Sequence, residues 1–312
     1  MGMKTRIIHF VAECRELWEN LWTVPRSNLS KGMSRLVRDT RIVVHTLRSY
    51  SDRKIGFQAA ALSYYCAIAL IPMLAIFFAL TNGFGLSNQL KELLYSKIPT
   101  EPDIIDMIML AAENIIDAAK TGLFGVISIL TFVWTVIWLF LQVEEVFNNV
   151  WNVHRQPRNF FKRIGVDFIL ILTVPFVILM FFAGSVVYSH VLDLLIPSIP
   201  GITAHIKSFL SWVIFTGVAV LTLTSMYKFI PATKVHFKNA LKAALFAAVV
   251  FAGLQYLYLE TQVMVTKLNA FYGTVAAIPL FLIWLNYSWQ TVLYGAQLSC
   301  AFQRVDEIEQ KL

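Results

Sequence analysis

Apolar and polar positions fall in long blocks along this chain. Six stretches, 55–90, 121–143, 168–192, 208–227, 243–259 and 268–303, contain no Lys, Arg, Asp or Glu. About 20 apolar residues in helical form cross the roughly 30 Å hydrocarbon layer of a bilayer, so each stretch has room for one span. The pattern predicts an all-α fold, a polytopic membrane bundle of six transmembrane helices at 57–81, 122–143, 164–188, 208–226, 239–259 and 274–298. Around them it predicts a basic N-terminal segment at 1–56, an amphipathic helical outer loop at 82–121 and a short tail at 299–312.

Outside the spans the period changes. Ile7, Ile8, Val11, Leu17, Trp18, Leu21 and Trp22 alternate with charged residues as in an amphipathic helix, and 25–32 reads as a flexible joint. In the outer loop Leu86, Leu90, Leu93 and Leu94, then Ile104, Ile105, Ile108, Met109, Ile115 and Ile116, recur at helical spacing. Thr100 is placed to cap the second of these helices. Such a loop would lie as a cap over the bundle or in the interface.

Charge sets the orientation. Charged residues make up 14% of the chain, against about 25% in soluble domains, which agrees with the run lengths. With six spans, both termini share a side, and the segments on that side hold 21 of the 26 Lys and Arg. The other side has Lys91, Lys97, Lys120, Lys207 and Lys267. By the positive-inside rule both termini are expected in the cytoplasm. The first apolar run starts after more than fifty mostly polar residues, so the first span, not a cleaved signal peptide, is expected to target the chain. The net charge of +7 is then no nucleic-acid signal. The cluster Arg26, Lys31, Arg35, Arg38, Arg41, Arg48, Arg53 and Lys54 instead faces the anionic lipids of the inner leaflet. Cys14, Cys66 and Cys300 lie on the cytoplasmic side or inside a span, where no disulfide is expected.

Polar residues within the spans are the candidate chemistry, because each asks for a partner in lipid. Asn286, Gln290, Tyr294 and Gln297 share one face of the last span and are expected to turn toward neighbouring helices. Asp167 in the third span and Lys242 in the fifth lie near an end, where they can snorkel or pair. Gln58, Gln142, Glu144, Glu145, Asp167, Lys228 and Gln297 all belong to the cytoplasmic level and together suggest an inward-facing polar vestibule. Pro72, Pro175 and Pro279 inside spans predict kinks that open carbonyls to a cavity.

No enzyme signature accompanies these residues. The chain has no phosphate-binding glycine loop, no H-E-x-x-H and no G-x-S-x-G, and its six His are scattered. No metal site, cofactor or catalytic residue is expected.

Ala59-Ala60-Ala61-Leu62-Ser63-Tyr64-Tyr65 through Pro72 resembles the first-span signature of the YihY/BrkB membrane-protein family. So do Phe147-Asn148-Asn149-Val150-Trp151 and Tyr227-Lys228-Phe229-Ile230-Pro231. The fullest likeness runs from Tyr272-Gly273 through Ala277-Ile278-Pro279, Trp284 and Trp289 to Gly295-Ala296. The resemblance implies a bacterial inner-membrane protein with six helices and cytoplasmic termini. It also carries older family labels, a ribonuclease and a serum-resistance factor. Where the family has an acid after Gly-Ala in the last span, this chain has Gln297, which removes the group a proton-coupled role would use. The function expected is non-enzymatic handling or transport of a lipid or other amphiphile through the polar vestibule. The alternative is an envelope scaffold or resistance factor that docks a protein partner, or a second copy, through the outer loop. A membrane-bound nuclease is the remote third.

Overall fold

A computed structural model describes residues 31–83, 123–153, 203–266 and 270–311, together with the isolated positions 106, 110 and 114. The described residues form helices: α1 (Lys31–Asp52), α2 (Ile55–Gly83), α3 (Leu123–Trp151), α4 (Thr203–Phe229), α5 (Phe237–Thr266) and α6 (Ala270–Lys311). Five of the six expected spans coincide with α2 to α6. The third, 164–188, lies outside the described residues with Asp167 and Pro175, as does the outer loop apart from Asn82 and Gly83, which end α2, and Asp106, Leu110 and Asn114.

α6 is the hub and packs against every other helix described. Its small residues allow this: Ala296, Cys300 and Ala301 are fully buried, flanked by Leu293 and Val305. The helix runs without interruption through Pro279 and on past the expected end of the last span, so the segment at 299–311 extends the helix rather than forming a separate tail. Pro72 likewise stands within the continuous α2.

α5 shows which way the bundle faces. Ala240, Ala243, Ala244, Ala247 and Ala248 point inward, while Leu245, Phe246, Val249 and Leu257 point out, Val249 being 64% exposed. A water-soluble helix buries its large apolar side chains. Here small ones line the interface and large ones cover the outside, as in helices that pack in lipid. The segments Trp212–Phe229 of α4 and Phe237–Val265 of α5 are long and apolar enough to cross a membrane. The same outward apolar row continues at Phe57, Tyr64 and Ile68 of α2 and at Ile278 and Ile283 of α6.

α1 was not foreseen as an element, because its charges mask its apolar stripe. Val37, Arg41, Ile42 and Thr46 are buried, and Ile42 packs with Ala301 and Val305 of α6. Lys54, with φ of 52°, takes the left-handed conformation that turns the chain from α1 into α2. Its carbonyl then accepts from the amides of Phe57 at 3.1 Å and Gln58 at 3.3 Å, which starts the next helix.

Candidate functional site

The end of α3 organises the basic end of the bundle. Asn152 closes the helix in a left-handed conformation (φ 55°), a position that suits Asn better than most residues. Val153 N donates to Asn148 O at 2.9 Å and Asn152 N to Asn149 O at 3.0 Å, the bond pair of a Schellman motif. The last carbonyls carry the negative end of the helix dipole and need donors. Two guanidiniums supply them. Arg53 donates through Nη1 to Asn149 O at 2.8 Å and to Val150 O, and Arg304 of α6 donates through Nη2 to Trp151 O at 2.9 Å.

The connection from α4 to α5 is tied to the same end. Asn148 Oδ1 accepts from Ala232 N at 2.7 Å. Gln303 of α6 accepts from His236 N at 3.0 Å and donates to Lys234 O at 3.1 Å and Glu307 Oε1 at 3.1 Å. Ile230 and Val235 bury their side chains beneath this loop. The His236 carbonyl accepts from Asn239 and Ala240, both at 3.1 Å, and begins α5.

Positive charge is concentrated here. Burial holds the His45 imidazole below its ordinary pKa, and the nearby Arg304 and Arg53 lower it further. Arg53 is lowered in turn, first by burial and then by Arg304. Burial raises the Tyr50 phenol, with the nearby Tyr294 adding to the shift, and the two rings stand 5.8 Å apart. Cys300 sits within reach of the same two guanidiniums.

Deeper in the bundle lies an interior with polar groups that the protein leaves unpaired. Gln297 is 0% exposed, and neither its amide oxygen nor its nitrogen has a hydrogen-bond partner. Ser299 Oγ and the Gln58 oxygen are buried and unpaired as well. Leaving such a group unsatisfied costs about 1–3 kcal/mol, so native proteins keep few of them. Two residues before Gln297, Gly295 makes a close crossing: a Cβ there would lie 2.7 Å from Ala247 Cβ and 2.9 Å from Tyr227 Cζ, and nearer still to the Tyr227 hydroxyl.

The residues proposed from sequence are distributed as follows. Gln58 is half-buried in the first turn of α2, and Gln142 is half-buried on α3. Glu144 is buried on α3 and Glu145 exposed. Lys228 is half-buried, its Nζ 5.6 Å from the ring centre of Phe229 and 5.2 Å from that of Phe237, within cation–π range. Lys242 is exposed and lies 5.9 Å from the Phe302 ring. On α6, Gln290 Nε2 donates to Asn286 Oδ1 at 2.6 Å within the helix, and both are half-buried, as is Tyr294. Among the described residues, no group of three His, Cys, Asp or Glu is arranged to hold a metal.

Sequence reasoning missed His45, Arg53, Asn148, Gln303 and Arg304. One signal was available: Asn-Asn-Val-Trp-Asn after an apolar run has the Asn expected at a helix C-terminus. The basic residues that serve it come from opposite ends of the chain, and no spacing links them.

Lipid-facing large side chains, an interface of small residues and two helices of spanning length define an α-helical integral membrane protein. The chain belongs to the Virulence factor BrkB family, whose model matches residues 46–312, in agreement with the motifs from Ala59 to Ala296. It is 25% identical to a UPF0761 membrane protein of Actinobacillus pleuropneumoniae over 84% of this chain and 94% of that protein. A UPF0761 membrane protein of Haemophilus influenzae is 23% identical over 84% of this chain and 96% of its own length. One from Acinetobacter baylyi is 27% identical over 84% of this chain and 62% of its own. No solved structure matches.

Proposed function

We propose that this is a non-enzymatic inner-membrane protein of six spans, with both termini in the cytoplasm, that moves or handles a lipid or similar amphiphile. The polar headgroup enters from the cytoplasmic, basic end into the interior around Gln297, while the acyl chains stay in lipid. One observation carries this reading: the Gln297 amide is fully buried at the hub of the bundle with both polar atoms unpaired. An apolar residue of similar size would pack there at lower free energy, so the amide is retained for something that it binds. Ser299 Oγ and the Gln58 oxygen are further buried atoms without a partner. The basic residues from Arg38 to Lys54 hold this end against the anionic inner leaflet.

Reconstitution into liposomes with fluorescent phospholipids of several headgroups tests the proposal. The wild type should carry label between leaflets faster than empty vesicles do, and Gln297→Leu should lose most of that rate. No transport for any headgroup, or a Gln297→Leu variant as fast as wild type, would refute it. An envelope scaffold working through the outer loop predicts the first of those results, with partner capture lost and the core still folded on deletion of 86–119.

A further inference from the structure

We propose that Arg53 and Arg304, with His45 beside them, form a binding site for a phosphate oxyanion at the basic end of the bundle. The inference rests on the amphiphile reading and gives its substrate a chemical class, a phosphate-bearing headgroup.

Two guanidiniums converge on three consecutive carbonyls of α3: Asn149, Val150 and Trp151. Each spends one terminal nitrogen on this cap, and Arg304 also reaches the Cys300 thiol, which leaves further N–H groups of both planar forks for an acceptor. No carboxylate among the described residues is ion-paired with either guanidinium. Of the nearby acids, Asp52 pairs with Arg48 at 3.7 Å while its charge also reaches Arg53, and Glu307 accepts from Gln303 at 3.1 Å. His45 adds a ring whose Nδ1 is buried and unpartnered.

Half-buried like charges repel one another unless an anion lies between them; both guanidiniums lower the proton affinity of His45, and Arg304 lowers that of Arg53. Arg forks approaching from two helices suit an acceptor that offers several oxygens in different directions, which phosphate does. The depth fits as well. Arg53 sits at the joint of α1 and α2, one turn before Phe57, whose 78% exposure marks the start of the lipid-facing surface. A lipid phosphate of the inner leaflet lies at that level.

Binding to the purified full-length protein in a neutral detergent and phosphate-free buffer tests the site with three probes. These are dihexanoyl phosphatidate, inorganic phosphate and dihexanoylglycerol, followed by calorimetry. Phosphatidate should bind saturably and dihexanoylglycerol should not. If inorganic phosphate competes at similar concentration, the site takes free phosphate; if it does not, the site takes the lipid headgroup. Either result upholds the oxyanion site. Binding of neither phosphate probe, or equal binding of dihexanoylglycerol, overturns it. Arg304→Gln should weaken phosphatidate about tenfold or more. Because Arg304 also caps α3, His45→Glu serves as a second variant: it keeps both caps and places a carboxylate beside the forks. Unchanged affinity in His45→Glu overturns the proposal even if Arg304→Gln fails to fold. Transport that ignores headgroup phosphate defeats the site alone, and binding without any transport defeats the amphiphile reading alone.

Discussion

Replacing Gly295 by Ala adds one carbon where three helices meet. That Cβ would stand 2.7 Å from Ala247 Cβ on α5 and 2.9 Å from Tyr227 Cζ on α4, with the Tyr227 hydroxyl nearer than either. Real carbon contacts of this kind lie beyond 3.4 Å, so something must shift by more than half an ångström. Neither neighbour is free to move: Tyr227 is 0% exposed and Ala247 1%, and the first packs against Phe147 of α3 with ring centres 6.4 Å apart. Overpacking of a tight core costs about 1–3 kcal/mol. Against this, Ala gains about 1 kcal/mol over Gly in helix propensity. The steric effect wins because three elements must separate together, and net destabilisation of about 1–2 kcal/mol is expected. Thermal unfolding of detergent-solubilised protein, read by size-exclusion chromatography after heating, should show a lowered midpoint. Tyr227→Phe in the Gly295→Ala background removes the nearest atom and should restore part of the loss, and Ala247→Gly more of it. A Gly295→Ala variant as stable as wild type would refute the close crossing.

Gln297→Met should raise the unfolding midpoint by the equivalent of about 1–3 kcal/mol, since it removes two unsatisfied buried atoms; a lowered midpoint in the same heating assay would mean that the amide is bonded. Gln303→Leu strips the partners from His236 N and Lys234 O and should destabilise by about 2 kcal/mol, with faster proteolysis in the 230–236 loop as the readout. Asn148→Ala loses the bond to Ala232 N and should cost about 1–2 kcal/mol in the heating assay. For His45 the folded pKa lies below the unfolded one, so the unfolded chain takes up the proton first as pH falls. Its contribution to stability is complete above about pH 6.5 and declines as pH drops from there toward the folded value. The midpoint should therefore fall between pH 7.5 and 5.5 more in wild type than in His45→Gln, and equal falls would count against the burial of that ring.

Length and charge carried most of the fold into the sequence. A run without charge is a property of the chain itself, so α2 to α6 could be placed before any contact was known. α1 could not, because its buried positions Val37, Ile42 and Thr46 are sparse and are joined by the cation Arg41, which is 1% exposed, and only the partner surface on α6 reveals them. Periodicity put Gln297 on the polar face of the last span, but it could not say that both amide atoms would stay unpaired, which depends on neighbours from other helices. The clamp on α3 was the least legible part. Arg53 and Arg304 read as ordinary members of basic segments, and their role exists only once the two ends of the chain meet at one set of carbonyls.

The hub position of α6 bears on how the protein is made. Every described helix it packs against precedes it in the chain, so during synthesis the alanine face of α5 and the Arg53 fork still lack their final neighbour. Contacts between segments so distant in sequence form late. A nascent chain stalled before α6 would thus hold the pairs α2–α3 and α4–α5 without the helix that joins them, ready to be recognised by membrane proteases, and its lifetime rather than its equilibrium stability would set the yield of finished protein.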